Sequence, residues 1–209
     1  MKNIVVLISG GGTNLQALLD AVAEGRLLAR ISGVISSTKH AYGLVRAEHA
    51  DIPTRVISKR AYPDPVERDA AMLTALRALE ADYIVLAGYM SILSPEIIGL
   101  YKNRIVNIHP SLIPSFCGKG YYGLHVHEKV LEYGAKVTGA TVHFVDEGTD
   151  TGPIILQKAV SVLDDDTPEI LQQRVLRVEH ELLPLAVAHL VEGRIRVEGR
   201  KVTMERMTD

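Results

Sequence analysis

The sequence predicts an α/β fold, with a mostly parallel sheet covered by helices on both faces and antiparallel strands toward the C-terminal part. Continuous apolar runs such as Asn3–Ile8 alternate with segments of helical periodicity through most of the chain. Such runs are typical of strands that are buried on both faces. The last third instead contains two longer strand-like runs, Lys136–Asp146 and Gly152–Val162, joined by a short turn, and this arrangement favours antiparallel pairing. We expect the 209 residues to form a single domain.

The first half of the chain begins with a strand, a helix and a second strand. After the first strand, apolar residues recur at helical spacing: Leu15, Leu18, Leu19 and Val22. Gly25 is a suitable helix stop. The next predicted elements are a strand at Ile31–Ser36, a short helix around Leu44 and Ala47, and a strand at Thr54–Ser58.

The middle of the chain carries clear helix-start signals. Asp64 is an N-cap residue, Pro65 occupies the first turn, and Glu67 is the acid of a capping box. The inward residues of this helix are predicted to be Ala70, Leu73, Leu76 and Leu79. Two further buried strands, Tyr83–Gly88 and Arg104–His109, are separated by a short helix that Ser94 and Pro95 open.

The C-terminal part is predicted to contain one long helix and a hairpin. The helix extends from Pro168 to about Gly193, and we expect a bend at Pro184 because proline cannot donate a helical hydrogen bond. Residues 194–205 alternate in polarity about a glycine, which predicts a closing hairpin. We find no internal repeat and no linker in the sequence.

The composition excludes several classes of protein. Hydrophobic residues make up 47% and charged residues 23%, which is ordinary for a globular chain. A net charge of −2 favours neither nucleic-acid nor membrane-surface partners. The single cysteine, Cys117, cannot form an intrachain disulfide and indicates a reducing compartment. The N-terminal apolar run is too short to span a membrane, so we expect a soluble cytoplasmic protein.

The segment Ser9–Gln16, "SGGGTNLQ", joins the first strand to the first helix and is a candidate anion site. Its glycines allow the backbone to approach a ligand, and the helix N-terminus favours an anion. The candidate phosphate-binding residues are Gly11, Gly12, Thr13 and Asn14. The spacing matches neither a dinucleotide fingerprint nor a Walker loop. The structural alternative is a tight turn with Thr13 as the helix N-cap.

Asn107 and His109 stand two residues apart on a buried strand, so their side chains emerge on the same face. An unpaired buried amide or imidazole costs about 1–3 kcal/mol, so either the fold or a substrate must satisfy them. The turn "VDEGTDTGP" places Asp150 where it can fold back toward this strand end. An amide, an imidazole and a carboxylate would then converge at the edge of the sheet where ligands bind in α/β folds. The alternative is a satisfied pair within the core.

Two other readings of the polar residues are weaker. The four histidines His109, His125, His127 and His143 invite a metal site, but no thiolate partner or HExxH pattern accompanies them. Cys117 has only Lys119 nearby to lower its pKa, which disfavours a nucleophilic role.

Glu179 lies in the inward stripe of the long helix, with Val175, Leu182, Leu183 and Ala186. A carboxylate that points toward a core has a cationic partner or faces a cleft. An ion pair with an arginine such as Arg174 is the structural alternative.

Five segments together resemble the folate-dependent formyltransferases, and among them the glycinamide ribonucleotide formyltransferases of purine synthesis. They are "NIVVLISGGGTNLQ", "VLAGYMSILS", "IVNIHPSLIPSF", "GATVHFVDEGTDTGPIILQ" and "VEHELLP", in this order. The resemblance covers nearly the whole chain. It implies a Rossmann-like formyltransferase fold, with a phosphate-binding half at about 1–100 and a folate-binding and catalytic half at about 84–209. It also implies 10-formyltetrahydrofolate as co-substrate and no metal.

The resemblance assigns roles to individual positions. Asn107, His109 and Asp150 would be catalytic, and Glu179 would contact the glycinamide. From the chemistry of such a trio, we expect the Asp150 carboxylate to raise the pKa of His109 and keep it protonated. The loop residues Gly11, Gly12, Thr13 and Asn14 would hold the substrate phosphate. The implied folate-binding residues are Met90, Ser91, Ile92, Leu93, Asn107, Asp146, Glu147, Gly148 and Asp150. The implied partners are small-molecule substrates only, and the chain would act as a monomer or homodimer.

The sequence departs from the family pattern at three positions. Gly11 stands where the family has asparagine, Pro65 lies near a basic residue of the family, and Ser91 replaces an arginine. The segment after Pro114 is also longer, and we expect it to be a mobile loop that closes over the substrates. Two alternative functions remain open. One is a formyltetrahydrofolate hydrolase on the same scaffold, and the other is a non-catalytic module that binds a phosphorylated metabolite.

Overall fold

The structure, a computed structural model, describes residues 1–204. The chain forms two compact units, one from Met1 to Val106 and one that begins at Asn107. Among the described residues, no helix combines the length and the apolar character needed to cross a membrane.

The first unit alternates strands and helices as predicted. Its elements are β1 (Lys2–Ile8), α1 (Thr13–Ala23), β2 (Ala29–Ser36), α2 (Tyr42–His49), β3 (Thr54–Val56), α3 (Pro65–Ala78), β4 (Tyr83–Leu86) and α4 (Pro95–Leu100). β1 pairs in parallel with both β2 and β4, and β2 pairs in parallel with β3. The apolar residues of β1 from Ile4 to Ile8 are fully buried, as expected for a strand covered on both faces.

The remaining elements begin with β5 (Ile105–His109), which contains the boundary between the units. They continue with α5 (Leu124–Tyr133), β6 (Val137–Phe144), β7 (Ile154–Ser161), α6 (Pro168–Val191), β8 (Ile195–Glu198) and β9 (Lys201–Met204). β6 pairs antiparallel with β7, and β8 with β9, which confirms both predicted hairpins. Glu205, the last residue of the predicted C-terminal hairpin, lies outside the described residues.

The seven main strands form one sheet in the order β3-β2-β1-β4-β5-β6-β7, and β8 and β9 form a separate small sheet. The predicted fold class, an α/β fold with a mostly parallel sheet and antiparallel strands toward the C-terminal part, is confirmed.

The predicted helix starts are confirmed by their hydrogen bonds. Asp64 Oδ1 accepts from the backbone N–H of Val66 at 2.7 Å, and Ser94 Oγ accepts from that of Ile97 at 3.5 Å. The predicted inward face of α3 is partly wrong. Leu73 and Leu76 are buried with Met72, but Ala70 is exposed and Leu79 lies beyond the helix end. The buried face of α3 includes Met72 rather than Ala70, because the larger methionine side chain removes more apolar area from water than the single methyl group of alanine does.

The predicted inward stripe of α6 is confirmed. Val175, Leu182, Leu183 and Ala186 are buried, and Glu179 is buried among them with 5% of its surface exposed. Pro184 lies inside the helix and is also buried; the bend expected there stays a prediction.

Candidate functional site

The glycine loop of the first unit leads directly into α1. Gly12, at φ 71°, is the N-cap residue, and Thr13 is the first helical residue. The alternative reading of Thr13 as N-cap is therefore wrong. Glycine suits this position because a side chain at positive φ is strained.

The N-terminus of α1 is open to an anion. Its N-cap residue, Gly12, has no side chain that could cap it, and its first turn contains no acidic residue. The first N–H groups of a helix have no intrahelical acceptor, and the helix dipole favours negative charge there. Gly11 is exposed, Gly12 and Thr13 are partly exposed, and Asn14 is buried. This geometry suits a small anion such as a phosphate group.

In the second unit, the last residues of β5 carry the polar pair of the sequence analysis. Val106 and Ile108 are buried on either side of Asn107, while His109 is only 4% exposed. Burial of an imidazole requires partners for its ring nitrogens, and both have polar neighbours in the structure.

The turn after β6 brings Asp150 to this pair. Phe144 donates its backbone N–H to the Pro153 carbonyl at 2.9 Å, which closes the base of the turn. A Cβ atom on Gly152 would lie 1.8 Å from the Phe144 carbonyl oxygen, so only glycine fits. Asp150 itself has a φ of 58°, an uncommon conformation that aspartate tolerates better than most residues. The turn therefore has the residue types that its path requires.

The three predicted catalytic side chains converge. Asn107 Nδ2 lies 3.5 Å from Asp150 Oδ1, and His109 Nδ1 lies 3.6 Å from Asp150 Oδ2. These distances are longer than strong hydrogen bonds. The three groups are thus close enough to act on one reacting atom without being locked to one another.

A fourth residue, His143, belongs to this cluster, although from the sequence it was only a candidate metal ligand. His143 Nδ1 lies 2.7 Å from the Phe144 carbonyl, so this nitrogen must carry the proton. In the neutral ring, Nε2 is then the acceptor, and it receives a hydrogen bond from Asn107 Nδ2 at 3.2 Å. The position of His143 at the end of a buried strand was the available sequence signal, since a buried imidazole needs two partners.

The loop formed by residues 115–123 contacts two of the catalytic groups through its backbone. His109 Nε2 donates to the Phe116 carbonyl at 2.9 Å, and the Gly118 N–H donates to Asp150 Oδ2 at 2.9 Å. The Phe116 ring packs edge-on against Tyr121 and Tyr133, with centroid distances of 6.4 and 5.8 Å. The loop therefore occupies hydrogen-bonding capacity that a substrate would need.

The pKa of His109 is lowered from its ordinary value of 6.5, and burial is the largest cause. The Asp150 charge and the Phe116 carbonyl raise it, but they do not outweigh burial. Asp150 therefore raises the pKa of His109 as expected, but the net shift is downward, which favours the neutral imidazole over the protonated one that was expected. Neutral histidine still donates one N–H, here from Nε2.

The pKa of Asp150 is lowered, although burial by itself would raise it. His143 Nε2 and His109 Nδ1 each lie 3.6 Å from the carboxylate and favour its ionised form when they carry a proton, and the Gly118 N–H favours it in every protonation state of the two rings. Asp150 is thus a carboxylate at neutral pH and can accept a proton.

The other predicted folate-binding residues fall into two groups. In the first unit, Met90 is 53% and Ile92 is 86% exposed, while Ser91 is half-buried and Leu93 is buried. The Met90 N–H donates to Ser9 Oγ at 2.8 Å, which fixes this segment beside the glycine loop.

In the second unit, Asp146 accepts from the Gly148 N–H and the Thr151 hydroxyl, as a turn residue does. Glu147 and Gly148 are exposed. These three residues lie in the same turn as Asp150, so the turn brings one catalytic group and three candidate folate contacts together.

Arg174, the arginine considered above as an ion-pair partner of Glu179, pairs with Asp166. The Arg174 guanidinium donates to both Asp166 oxygens at 2.6 Å, a bidentate pair.

Within residues 1–204, no group of three or more His, Cys, Asp or Glu side chains is arranged to hold a metal ion. His125 is instead exposed and pairs with Glu128 at 3.0 Å, and His127 is buried in α5.

An amide donor, an imidazole N–H and a carboxylate around one point define a site for acyl-type transfer, in which oxyanion stabilisation and proton removal are needed together. Comparison with known proteins identifies the family. Residues 2–187 match the family model described as formyl transferase. The chain is 42% identical, over 95% of its length, to the phosphoribosylglycinamide formyltransferase of Haemophilus influenzae, of which it covers 91%.

Solved structures agree. The chain superposes on glycinamide ribonucleotide transformylase 1 of Symbiobacterium toebii with a TM-score of 0.93 and 47% identity, over 99% of this chain and 95% of that one. It also superposes on a formyltetrahydrofolate deformylase of Pseudomonas syringae with a TM-score of 0.89 and 30% identity, over 98% of this chain and 66% of that one. The chain belongs to the formyl transferase family.

Proposed function

We propose that this chain transfers the formyl group of 10-formyltetrahydrofolate to the amine of 5-phosphoribosylglycinamide, giving formylglycinamide ribonucleotide and tetrahydrofolate. The observation that carries the proposal is the convergence of Asn107 and His109 on Asp150, from which their side-chain nitrogens lie 3.5 and 3.6 Å away. The names of the relatives above support the choice of substrates.

The glycine loop is the proposed phosphate site of the ribonucleotide. The backbone N–H groups of Gly11 and Gly12 and the side chains of Thr13 and Asn14 would hold the phosphate. The uncapped N-terminus of α1 supports this role because nothing acidic in the first turn competes with the anion.

The proposed chemistry is a direct attack. The amine lone pair forms a bond to the formyl carbon, and the carbonyl electron pair moves to the oxygen. Asn107 Nδ2–H and neutral His109 Nε2–H donate to that oxyanion; losing one such donor costs about 2.7–4 kcal/mol of barrier. The electron pair on the oxygen then re-forms the carbonyl as the bond from the formyl carbon to the folate nitrogen breaks.

Asp150 assists the proton transfer in this scheme. The attacking amine becomes positively charged, and the Asp150 carboxylate accepts the released proton, directly or through water. The protonated Asp150 returns this proton, directly or through water, to the departing folate nitrogen as its bond to carbon breaks. General acid–base assistance of this kind contributes about 10²–10⁴-fold to the rate.

The loop formed by residues 115–123 must release the catalytic groups before they act. His109 Nε2–H donates to the Phe116 carbonyl at 2.9 Å, so it reaches a formyl oxygen only after that bond opens. The predicted closure of the loop over the substrates would then come after the loop has released its hydrogen bonds to His109 and Asp150.

Further assignments are part of the proposal. The proposed folate contacts are Met90, Ser91, Ile92 and Leu93 in the first unit and Asn107, Asp146, Glu147, Gly148 and Asp150 in the second. Glu179 would contact the glycinamide. The exposed apolar surface of Met90 and Ile92 supports the contacts in the first unit, because a flat aromatic ligand would remove it from water. A single domain, a cytoplasmic location, a metal-free reaction and a monomeric or homodimeric state stay predictions.

The test follows tetrahydrofolate release spectroscopically, with and without 5-phosphoribosylglycinamide. Release that requires the ribonucleotide supports the transferase. Equal release in its absence points to the hydrolase, an alternative that the similarity to a deformylase keeps relevant. Ribonucleotide binding without any release, unchanged in a His109→Ala variant, would instead favour a non-catalytic binding module.

A further inference from the structure

The glycine loop rests against the N-terminal turn of α2 with almost no space between the two backbones. The Gly43 N–H donates to the Gly10 carbonyl at 3.1 Å. A Cβ atom on Gly12 would lie 2.6 Å from Gly43 Cα, and one on Gly43 would lie 3.2 Å from Gly12 Cα. Two glycines are therefore needed for this contact, and α2 determines the path of the loop.

Arg46, also on α2, connects the loop to the first helix. Its Nε donates to the Gly11 carbonyl at 2.9 Å, and its Nη1 donates to Gln16 Oε1 at 3.1 Å. The guanidinium carbon lies 5.1 Å from the centre of the Tyr42 ring. The planar, multi-donor guanidinium is suited to holding two acceptors in fixed directions.

These bonds determine where the loop N–H groups point. In a trans peptide, the C=O and the following N–H point in opposite directions. The Gly10 and Gly11 carbonyls are both held toward α2, by Gly43 and Arg46 respectively. The N–H groups of Gly11 and Gly12 are therefore both directed away from α2. Successive N–H groups on one side of a loop form a concave anion site.

We propose that Arg46 is a positioning residue for the substrate phosphate: by holding the Gly11 carbonyl, it orients the N–H groups that bind the phosphate. This inference rests on the proposed function, in which the loop binds the phosphate of the ribonucleotide. It assigns Arg46 an indirect role, acting through the loop backbone rather than on the reacting atoms.

Arg46 can be replaced without crowding its surroundings. It borders a cavity of about 600 Å³ that α1, β2 and α2 line, so a shorter side chain leaves room for water. Arg30 lines the same cavity from β2. Among residues 1–204, the structure shows no hydrogen bond from Arg30 to the glycine loop, and Arg30→Gln is the matched control for the loss of charge.

The experiment compares wild type with Arg46→Gln, Arg46→Lys and Arg30→Gln. For Arg46→Gln, we expect the KM for the ribonucleotide to rise about tenfold or more, the effect of losing one charged hydrogen bond. The turnover number and the KM for the formyl donor should change by less than about twofold, as expected when uniform binding is lost. Glycinamide riboside, which lacks the phosphate, should react equally with wild type and Arg46→Gln.

Arg46→Lys separates orientation from charge. Lysine keeps the charge but lacks the fixed fork, so its KM should stay closer to that of Arg46→Gln than to that of wild type. Full recovery in Arg46→Lys, an equal effect of Arg30→Gln, or an equal loss with glycinamide riboside would each overturn the positioning role.

Calorimetry with the ribonucleotide and with inorganic phosphate tests the phosphate site and the role of Arg46 separately. Wild type that binds neither would contradict the phosphate site itself, and with it the proposed function. Wild type that binds both, with unchanged affinity in Arg46→Gln, would contradict only the role of Arg46. Thermal melting of each variant verifies that it is folded.

Discussion

The Asn107 amide donates to the unprotonated Nε2 of His143 at 3.2 Å, while His143 Nδ1–H donates to the Phe144 carbonyl. One backbone carbonyl thus determines the imidazole tautomer, and the imidazole in turn determines which way the amide points. His143 is only 2% exposed, so water does not compete for this bond.

The first prediction concerns this relay, the hydrogen bonds that connect the Phe144 carbonyl through His143 to Asn107. His143→Leu should reduce the turnover number by about 10–100-fold, because Asn107 loses the acceptor that holds its NH₂ group in place. His143→Gln offers an acceptor oxygen and should recover part of the loss. The exposed His40→Gln is the control and should leave turnover unchanged. Equal turnover in His143→Leu and wild type would contradict the relay.

The second prediction concerns the pKa of His109. Asp150 raises this pKa against the larger effect of burial. In Asp150→Asn, burial is no longer opposed by the carboxylate, so the pKa should fall further below 6.5 than in wild type. NMR titration of the His109 ring measures both values. A higher pKa in the variant would contradict this prediction, because it would mean that Asp150 does not raise the pKa of His109.

The third prediction concerns stability and pH. His127 is 1% exposed, and its pKa is lowered to about 4, by burial first and by His109 second. Below pH 6.5 the unfolded chain binds a proton that the folded chain does not, so stability falls as pH decreases toward 4. At pH 5 this residue should reduce the free energy of unfolding by about 2 kcal/mol relative to neutral pH.

His127→Gln should remove that part of the pH dependence. Urea unfolding at neutral pH and at about pH 5 compares the variant with wild type. The decrease between the two pH values should be smaller in the variant. An equal decrease in both proteins would contradict the lowered pKa, because it would mean that His127 has the same pKa in the folded and the unfolded chain.

The fourth prediction concerns Cys117 as a reporter of the loop formed by residues 115–123. Burial, together with the negative charge of Asp150, raises the pKa of its thiol. A thiol reagent should therefore react slowly with the native protein at neutral pH, since the thiolate is the reactive form. Asp150→Asn removes the charge and leaves only a neutral acceptor for the Gly118 N–H, so labelling should accelerate. An unchanged rate would argue against contact between the loop and the carboxylate.

The fifth prediction concerns Gly152. Its Cβ would overlap the Phe144 carbonyl oxygen, and backbone cannot move aside as a flexible side chain can. Gly152→Ala should cost about 3 kcal/mol or more of stability and displace Asp150. Gly99→Ala in α4 meets nothing within 4 Å and is the control; there alanine should be neutral or stabilise by up to about 1 kcal/mol. Similar melting temperatures for both variants would contradict the close packing of the turn.

Local signals in the sequence predicted much of the fold. Asp64 and Ser94 determine helix starts through hydrogen bonds within a few residues, and Pro65 through its fixed φ, so the sequence shows them directly. Periodicity predicted the buried stripe of α6, including Glu179, for the same reason. Ala70 was misplaced because periodicity does not weigh the size of neighbouring side chains.

The site was predictable only in part. Asn107 and His109 share a strand, and their common face follows from the two-residue repeat. The role of His143 depends on pairing between residues far apart in sequence, and the contacts of Phe116 and Gly118 depend on the path of a loop without periodicity. The pKa of His109 depends on the balance between burial and charge, which the sequence does not contain. Arg46 was missed because its bond to Gly11 spans 35 residues.

The most direct test of the account traces the formyl group itself. Wild-type protein is incubated with formyl-folate carrying an isotopic label on the formyl carbon and with 5-phosphoribosylglycinamide, and the products are separated by mass spectrometry. The account predicts the label on the glycinamide amine of the ribonucleotide. Recovery of the label as free formate, with the ribonucleotide unchanged, would contradict it.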